Sequence, residues 1–158
     1  MLSRIFPKEI DNNYRGYQLA IWLLVLFLLV RTFASVTQIG LNPLWSTSEV
    51  LQSVEGVPLN TFNSKAAKAA IVLFGWWGAT NLMLNVLGFI AVVRYRAMIP
   101  LVYLLIVGSH IGQVALADTA LIVGMLGAGA SRPIIGVGVL LIGFGMSLTS
   151  PRRLEGAA

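Results

Sequence analysis

The sequence predicts an all-α polytopic membrane protein: four transmembrane helices in an antiparallel bundle, plus a short interfacial helix in the first outer loop. Three observations predict it. Charged residues make up 11% of the chain and hydrophobic ones 57%, whereas soluble domains carry about 25% charged residues. Apolar runs recur at the ~20-residue length needed to cross a bilayer. Basic residues flank those runs unevenly, as topology signals do. The mean hydropathy of +0.83 agrees, and the 158 residues form a single transmembrane domain.

The spans are expected at about 17–38, 66–93, 98–126 and 133–148. The first is interrupted only by Arg31. The last is short and must thin the bilayer locally or extend through "TSP" to the interface. The N-terminus "MLSRIFPKEIDNNYRGYQ" lacks the pattern of a cleaved leader, because its apolar run begins only at Leu19 and further spans follow. Arg4, Lys8, Arg15, Arg94, Arg96, Arg152 and Arg153 lie on one side of the expected membrane, against Lys65, Lys68 and Arg132 on the other. Seven against three places both termini in the cytoplasm of a bacterial inner membrane.

The connections follow from their turn chemistry. In "RYRAMIP", Pro100 suits the first turn of a helix, where its missing N–H costs nothing, so spans two and three are antiparallel neighbours. The outer loop, 40–64, holds the interfacial helix. Ser46 followed by Glu49 is a capping-box pattern, Gly56 and Pro58 supply a stop, and Val50, Leu51 and Val54 share one face. Trp45 suits the headgroup region, as do Trp76 and Trp77. "GAGASRP", Gly127 to Pro133, is the last outer turn.

Span three carries the only histidine, in "LIVGSHIGQVALAD". At about 100° per residue, Gly112 lies ~40° from Gly108, while Ser109, Gln113, His110 and Asp118 fall at ~100°, ~140°, ~200° and ~280°. Glycines thus occupy one side, where another backbone can approach closely. The polar side must also be covered by protein, since an ionisable group facing lipid costs about 3 kcal/mol or more near the bilayer centre. His110, Asn81 and Arg31 lie roughly 16, 18 and 21 Å from the cytoplasmic ends of their spans. Trp77, Asn81 and Asn85 share one stripe, and Arg31 shares a face with Ser35 and Gln38. The expected polar layer is therefore Arg31, Asn81, Asn85, His110, Gln113 and Asp118, with Arg31 on Asp118 and His110 on Asn81 or Gln113. For each there is a plainer account: Arg31 snorkels to headgroups, Asp118 sits at the interface, and His110, Asn81 and Asn85 join helices by hydrogen bonds. On span four, Gly143 and Ser147 form a small-xxx-small pair, and Gly136 with Gly138 thins the other end.

At "IDNNYRG", "EGVPLNTF" and "VRYRAMIP" the chain resembles a group of small uncharacterised bacterial inner-membrane proteins with four predicted spans. The resemblance covers roughly the first 115 residues. It implies the four-span architecture and no activity. Where an acidic residue beside the histidine is expected in such proteins, this chain has Ser109.

These features favour a non-catalytic membrane subunit that packs with itself or with a larger membrane complex through glycine-rich faces. A small-solute or proton transporter using Arg31, His110 and Asp118 is the alternative. A further one is binding of haem, a pigment or a quinone through His110. No resident metal is expected, since one histidine and one nearby carboxylate fall short of the three protein ligands typical of catalytic zinc. Without cysteine, disulfides, thiolate nucleophiles and Cys-ligated metals are excluded. Ser109 and His110 point ~100° apart on a helix, which argues against a Ser–His dyad and an intramembrane enzyme. The pI of 10.1 reflects topology signals facing anionic lipid, with no basic-aromatic face for nucleic acid.

Overall fold

The computed structural model describes residues 2–116 and 131–149, and their regular structure is helical. The helices are α1 (Leu2–Ile5), α2 (Gln18–Gln38), α3 (Thr47–Ser53), α4 (Ser64–Arg94), α5 (Ile99–Leu116) and α6 (Ser131–Leu148). Single 3₁₀ turns occupy Leu59–Thr61 and Arg96–Met98. Among the described residues two helices, α2 and α4, are long and apolar enough to cross a membrane. At about 1.5 Å per residue they measure roughly 32 and 46 Å, while α5 and α6 each measure roughly 27 Å. The end of the expected third span, and Gly127 to Ala130 of the expected outer turn, lie outside the described residues. The rest of that turn is helical, because α6 begins at Ser131 and places Pro133 in its first turn, where proline is tolerated.

The chain folds as two compact units, one formed by Met1–Leu26 with Gly88–Ala158, the other by Phe27–Leu87. In the first, Ala20, Leu24, Ile99, Tyr103, Ile106 and Leu140 are buried. Tyr103 organises this core. Its hydroxyl donates to the Ala20 carbonyl at 2.6 Å, and its ring lies so near Gly143 that a Cβ there would stand 2.7 Å from Cζ. The N-terminal arm is tied down at both ends. Arg4 Nη1 donates to the Leu148 carbonyl at 2.6 Å, and the Tyr17 N–H donates to Met146 O at 3.2 Å.

In the second unit, α2 ends as its sequence requires. Gly40 takes φ +76°, with its N–H on Thr37 O and that of Leu41 on Val36 O. This is the Schellman arrangement, which needs a residue able to enter the left-handed region. The helix α3 is capped by Ser46 and Glu49 in a reciprocal box. Its apolar face packs within the unit. Leu51 is buried with Leu59 and Phe74, and Val50 packs on the same cluster beside Ala67, Ala70, Ile71 and Trp77, while Val54 remains exposed. Side-chain burial against α4 removes more apolar surface from water than a free-standing amphipathic turn can. Helix α4 begins two residues earlier than expected because Asn63 caps it, its Oδ1 accepting from the Ala66 N–H at 2.8 Å.

Candidate functional site

A polar seam runs through the Phe27–Leu87 unit. Helix α2 contributes Arg31, Ser35 and Gln38 at intervals of four and three, one face of a helix. From α4 come Gly78, Asn81 and Asn85, again on one face. Ser35, Gln38, Asn81 and Asn85 are at most 6% exposed. The close approach is made at Gly78, where a Cβ would stand 2.6 Å from that of Gln38 and 3.2 Å from the Ser35 carbonyl. Only hydrogen fits there.

One turn along α4, Arg31 Nη2 donates to Asn81 Oδ1 at 2.6 Å. The Asn81 amide in turn donates to Trp77 O at 3.0 Å, which fixes which end of the amide faces the guanidinium. The Arg31 Cζ lies 6.0 Å from the Phe27 ring centroid, at the outer limit of a cation–π contact. The guanidinium is thus met by an amide dipole and a ring face, and among the described residues no carboxylate pairs with it. Its remaining donors have the fork geometry that suits a carboxylate or phosphate oxygen pair. Two buried side-chain donors of the same unit, Asn85 Nδ2 and Thr32 Oγ1, have no hydrogen-bond partner among the described residues.

His110 belongs to the other unit. Its Nδ1 lies 2.8 Å from the Ile106 carbonyl of its own helix. A carbonyl only accepts, so Nδ1 carries the proton in this bond. Ser109 Oγ also donates to Ile106 O, at 2.8 Å, and lies 3.5 Å from His110 Nδ1. The serine proton therefore faces a carbonyl rather than an imidazole acceptor.

Asn81, one of the partners expected for His110, accepts from Arg31. Asp118 lies outside the described residues, as does the side chain of Gln113. The glycines divide in two. Gly143 provides close packing, against Tyr103, and Ser147 is buried with its hydroxyl on Phe144 O at 2.7 Å. At Gly108, Gly112, Gly136 and Gly138, by contrast, no described heavy atom lies within 4 Å of where a Cβ would stand. The packing face of α5 within the chain is Val102, Tyr103, Ile106 and Val107, since bulky side chains exclude more lipid or water than a glycine groove can. Gly78 and Tyr103 were not anticipated. Gly78 was accessible to spacing, lying three residues before Asn81, whereas nothing local marks Tyr103. Among the described residues no three His, Cys, Asp or Glu side chains gather as a metal set would.

Compared with known proteins, the chain matches no family model, and no curated protein or solved structure is significantly similar to it.

Proposed function

We propose that the chain is a non-catalytic, four-span subunit of a bacterial cytoplasmic membrane, with both termini in the cytoplasm, which associates with further copies of itself or with other membrane subunits. The observation that carries this reading is the unused glycine surface. Gly108 and Gly112 on α5, and Gly136 and Gly138 on α6, meet no described neighbour, yet small residues in membrane helices are the positions where another backbone comes close. Two further facts support the membrane setting. In their most apolar windows only 22% of α2 and 28% of α4 is buried within the chain, and Trp22, Leu26, Leu29, Val30, Trp76, Leu87 and Ile142 are all exposed. Such surface suits lipid and is far too large for water. The polar seam reads as interhelical glue, its one charge already held by Asn81.

Gentle detergent extraction followed by native mass spectrometry tests the proposal. The expected result is a mass of two or more copies, or of this chain with another subunit, that shifts toward monomer in Gly108→Leu/Gly112→Leu. A chain that stays monomeric and partnerless removes the reading. Absorption spectra of the same material test haem, pigment or quinone binding through His110, and visible bands would favour it.

A transport role is supported by a separate observation, the unpartnered buried donors Asn85 Nδ2 and Thr32 Oγ1 in the unit that holds Arg31. Flux into liposomes that is abolished by Arg31→Gln and by Asn85→Leu would favour this second reading over the first.

A further inference from the structure

Helix α4 is longer than the hydrocarbon core of a bilayer. Its roughly 46 Å exceed about 30 Å, whereas α2, at roughly 32 Å, matches it. Contacts within the Phe27–Leu87 unit show where α4 outruns α2. The last residue of α2, Gln38, meets α4 at Gly75 and Gly78: a Cβ at Gly75 would stand 3.8 Å from Gln38 O, and one at Gly78 2.6 Å from Gln38 Cβ. Ser64 to Phe74, roughly 16 Å of helix, therefore runs on past the end of α2. Helix α3 and the Leu59–Thr61 turn pack on this extension through Leu51, Leu59 and Phe74. Glu49, Lys65 and Lys68 are exposed around them, a charged surface suited to water.

The loop joining α2 to α3 has the opposite character. No Asp, Glu, Lys or Arg occurs between Arg31 and Glu49. Leu41 and Leu44 are 70% and 77% exposed, and Trp45 is exposed beside them. Rather than rising from the helix, the loop doubles back along it. Asn42 Nδ2 donates to Thr37 Oγ1 at 2.9 Å, and the Trp45 ring stands edge-on to that of Phe33, with centroids 6.4 Å apart. Phe33 precedes the end of α2 by about 7.5 Å along the axis. With Leu29 and Val30 it forms an exposed stripe at helical spacing, which the loop's side chains extend. The turn also meets much of its backbone polarity internally, as entry into an apolar medium demands. The Leu41 N–H is on Val36 O, Pro43 has none, and the Leu44 N–H donates to Asn42 Oδ1 at 2.9 Å. Trp76, next to Gly75 on α4, is a second exposed tryptophan at this level.

We propose that Phe33, Leu41, Leu44 and Trp45 form a lipid-inserting collar in the leaflet at the Gln38 end of α2, while α3 and the first turns of α4 stand clear in water. The leucines lie among acyl chains, and Trp45 with Trp76 marks the headgroup level, where tryptophan is favoured. This rests on the reading of α2 and α4 as membrane spans. Lipid is the occupant because the patch continues the stripe that a spanning helix turns to lipid, and the segment has no charged side chain with which to orient a protein partner.

Nitroxide labels test the collar in the full chain, which has no native cysteine to remove. Leu29→Cys, Leu44→Cys and Lys68→Cys, all at exposed positions, are labelled singly and reconstituted into vesicles of phosphatidylcholine and phosphatidylglycerol. Collision rates are then measured with oxygen, which concentrates in hydrocarbon, and with a neutral nickel chelate, which stays in water. The oxygen-to-nickel ratio at Leu44 is expected to be several-fold above that at Lys68 and to approach that at Leu29. A low ratio at Leu44 with a high one at Leu29 would overturn the collar and leave the spans standing. A low ratio at Leu29 as well would overturn the spanning reading and the collar with it. Poor access of both reagents to Leu44 would put protein over the loop in place of lipid, and a Lys68 ratio as high as that at Leu44 would sink the α4 extension into the bilayer; either result overturns the proposal.

Discussion

Arg31 is the residue on which the polar seam turns. A guanidinium stays charged in any protein environment, so a partly buried one must find acceptors, and Asn81 supplies one at 2.6 Å. Removing that acceptor strands the charge; removing both partners does not. Asn81→Ala is therefore expected to destabilise the folded chain more than Arg31→Met, and the double-mutant cycle in a denaturing-detergent titration should yield a coupling of about 1–2 kcal/mol. A coupling near zero would mean that the guanidinium finds equal acceptors elsewhere. The pairing was half legible in the sequence. Spacing put Arg31 with Ser35 and Gln38, and Asn81 with Asn85, but the partner expected for Arg31 was Asp118 and not Asn81.

At the scale of elements, α3 shows how far local chemistry reaches. The Ser46–Glu49 box and the stop at Gly56, where φ is +70°, lie within eleven residues, and both were readable in order along the chain. The box also makes α3 sensitive to pH. The Ser46 backbone N–H and then its hydroxyl donate to Glu49 and hold its carboxyl below its ordinary value of 4.5. A depressed folded-state pKa means that the contribution is complete above the unfolded value and is lost as pH falls through the folded one. Amide exchange at Glu49 and Val50 should accordingly speed up as pH drops below about 4.5, once corrected for the intrinsic rate, and Glu49→Gln should flatten that response. Helix–helix contact is less local. Gly143 lies under a Tyr103 ring whose hydroxyl is anchored on Ala20, so the ring cannot swing aside. Gly143→Leu is expected to cost about 1–3 kcal/mol by overpacking, measured by unfolding in detergent. Gly108→Ala, with no described heavy atom within 4 Å of where its Cβ would stand, should leave that midpoint unchanged, and a comparable loss in both would remove Tyr103 as the cause.

At the scale of the whole molecule, the distribution of charge makes its own prediction. The chain has no cysteine, so single cysteines report sidedness without background. With seven basic residues on one expected side and three on the other, Ala97→Cys should be shielded from an impermeant thiol reagent in intact cells, and Ser48→Cys should react with it. Labelling in the opposite sense would invert the proposed topology.

What the sequence determined by itself was solvation and local termination. The apolar runs at 17–38 and 66–93 correspond to helices Gln18–Gln38 and Ser64–Arg94, because transfer free energy adds residue by residue along a segment and caps act within a turn. What only the tertiary structure decided was the facing of helices: Arg31 on Asn81, Gly78 beneath Gln38, Tyr103 over Gly143, and the arm fastened by Arg4 to the end of α6. Those choices depend on the rotation of each helix about its axis and on contacts between residues up to 144 positions apart, and several rotations share the same composition, hydropathy and depth.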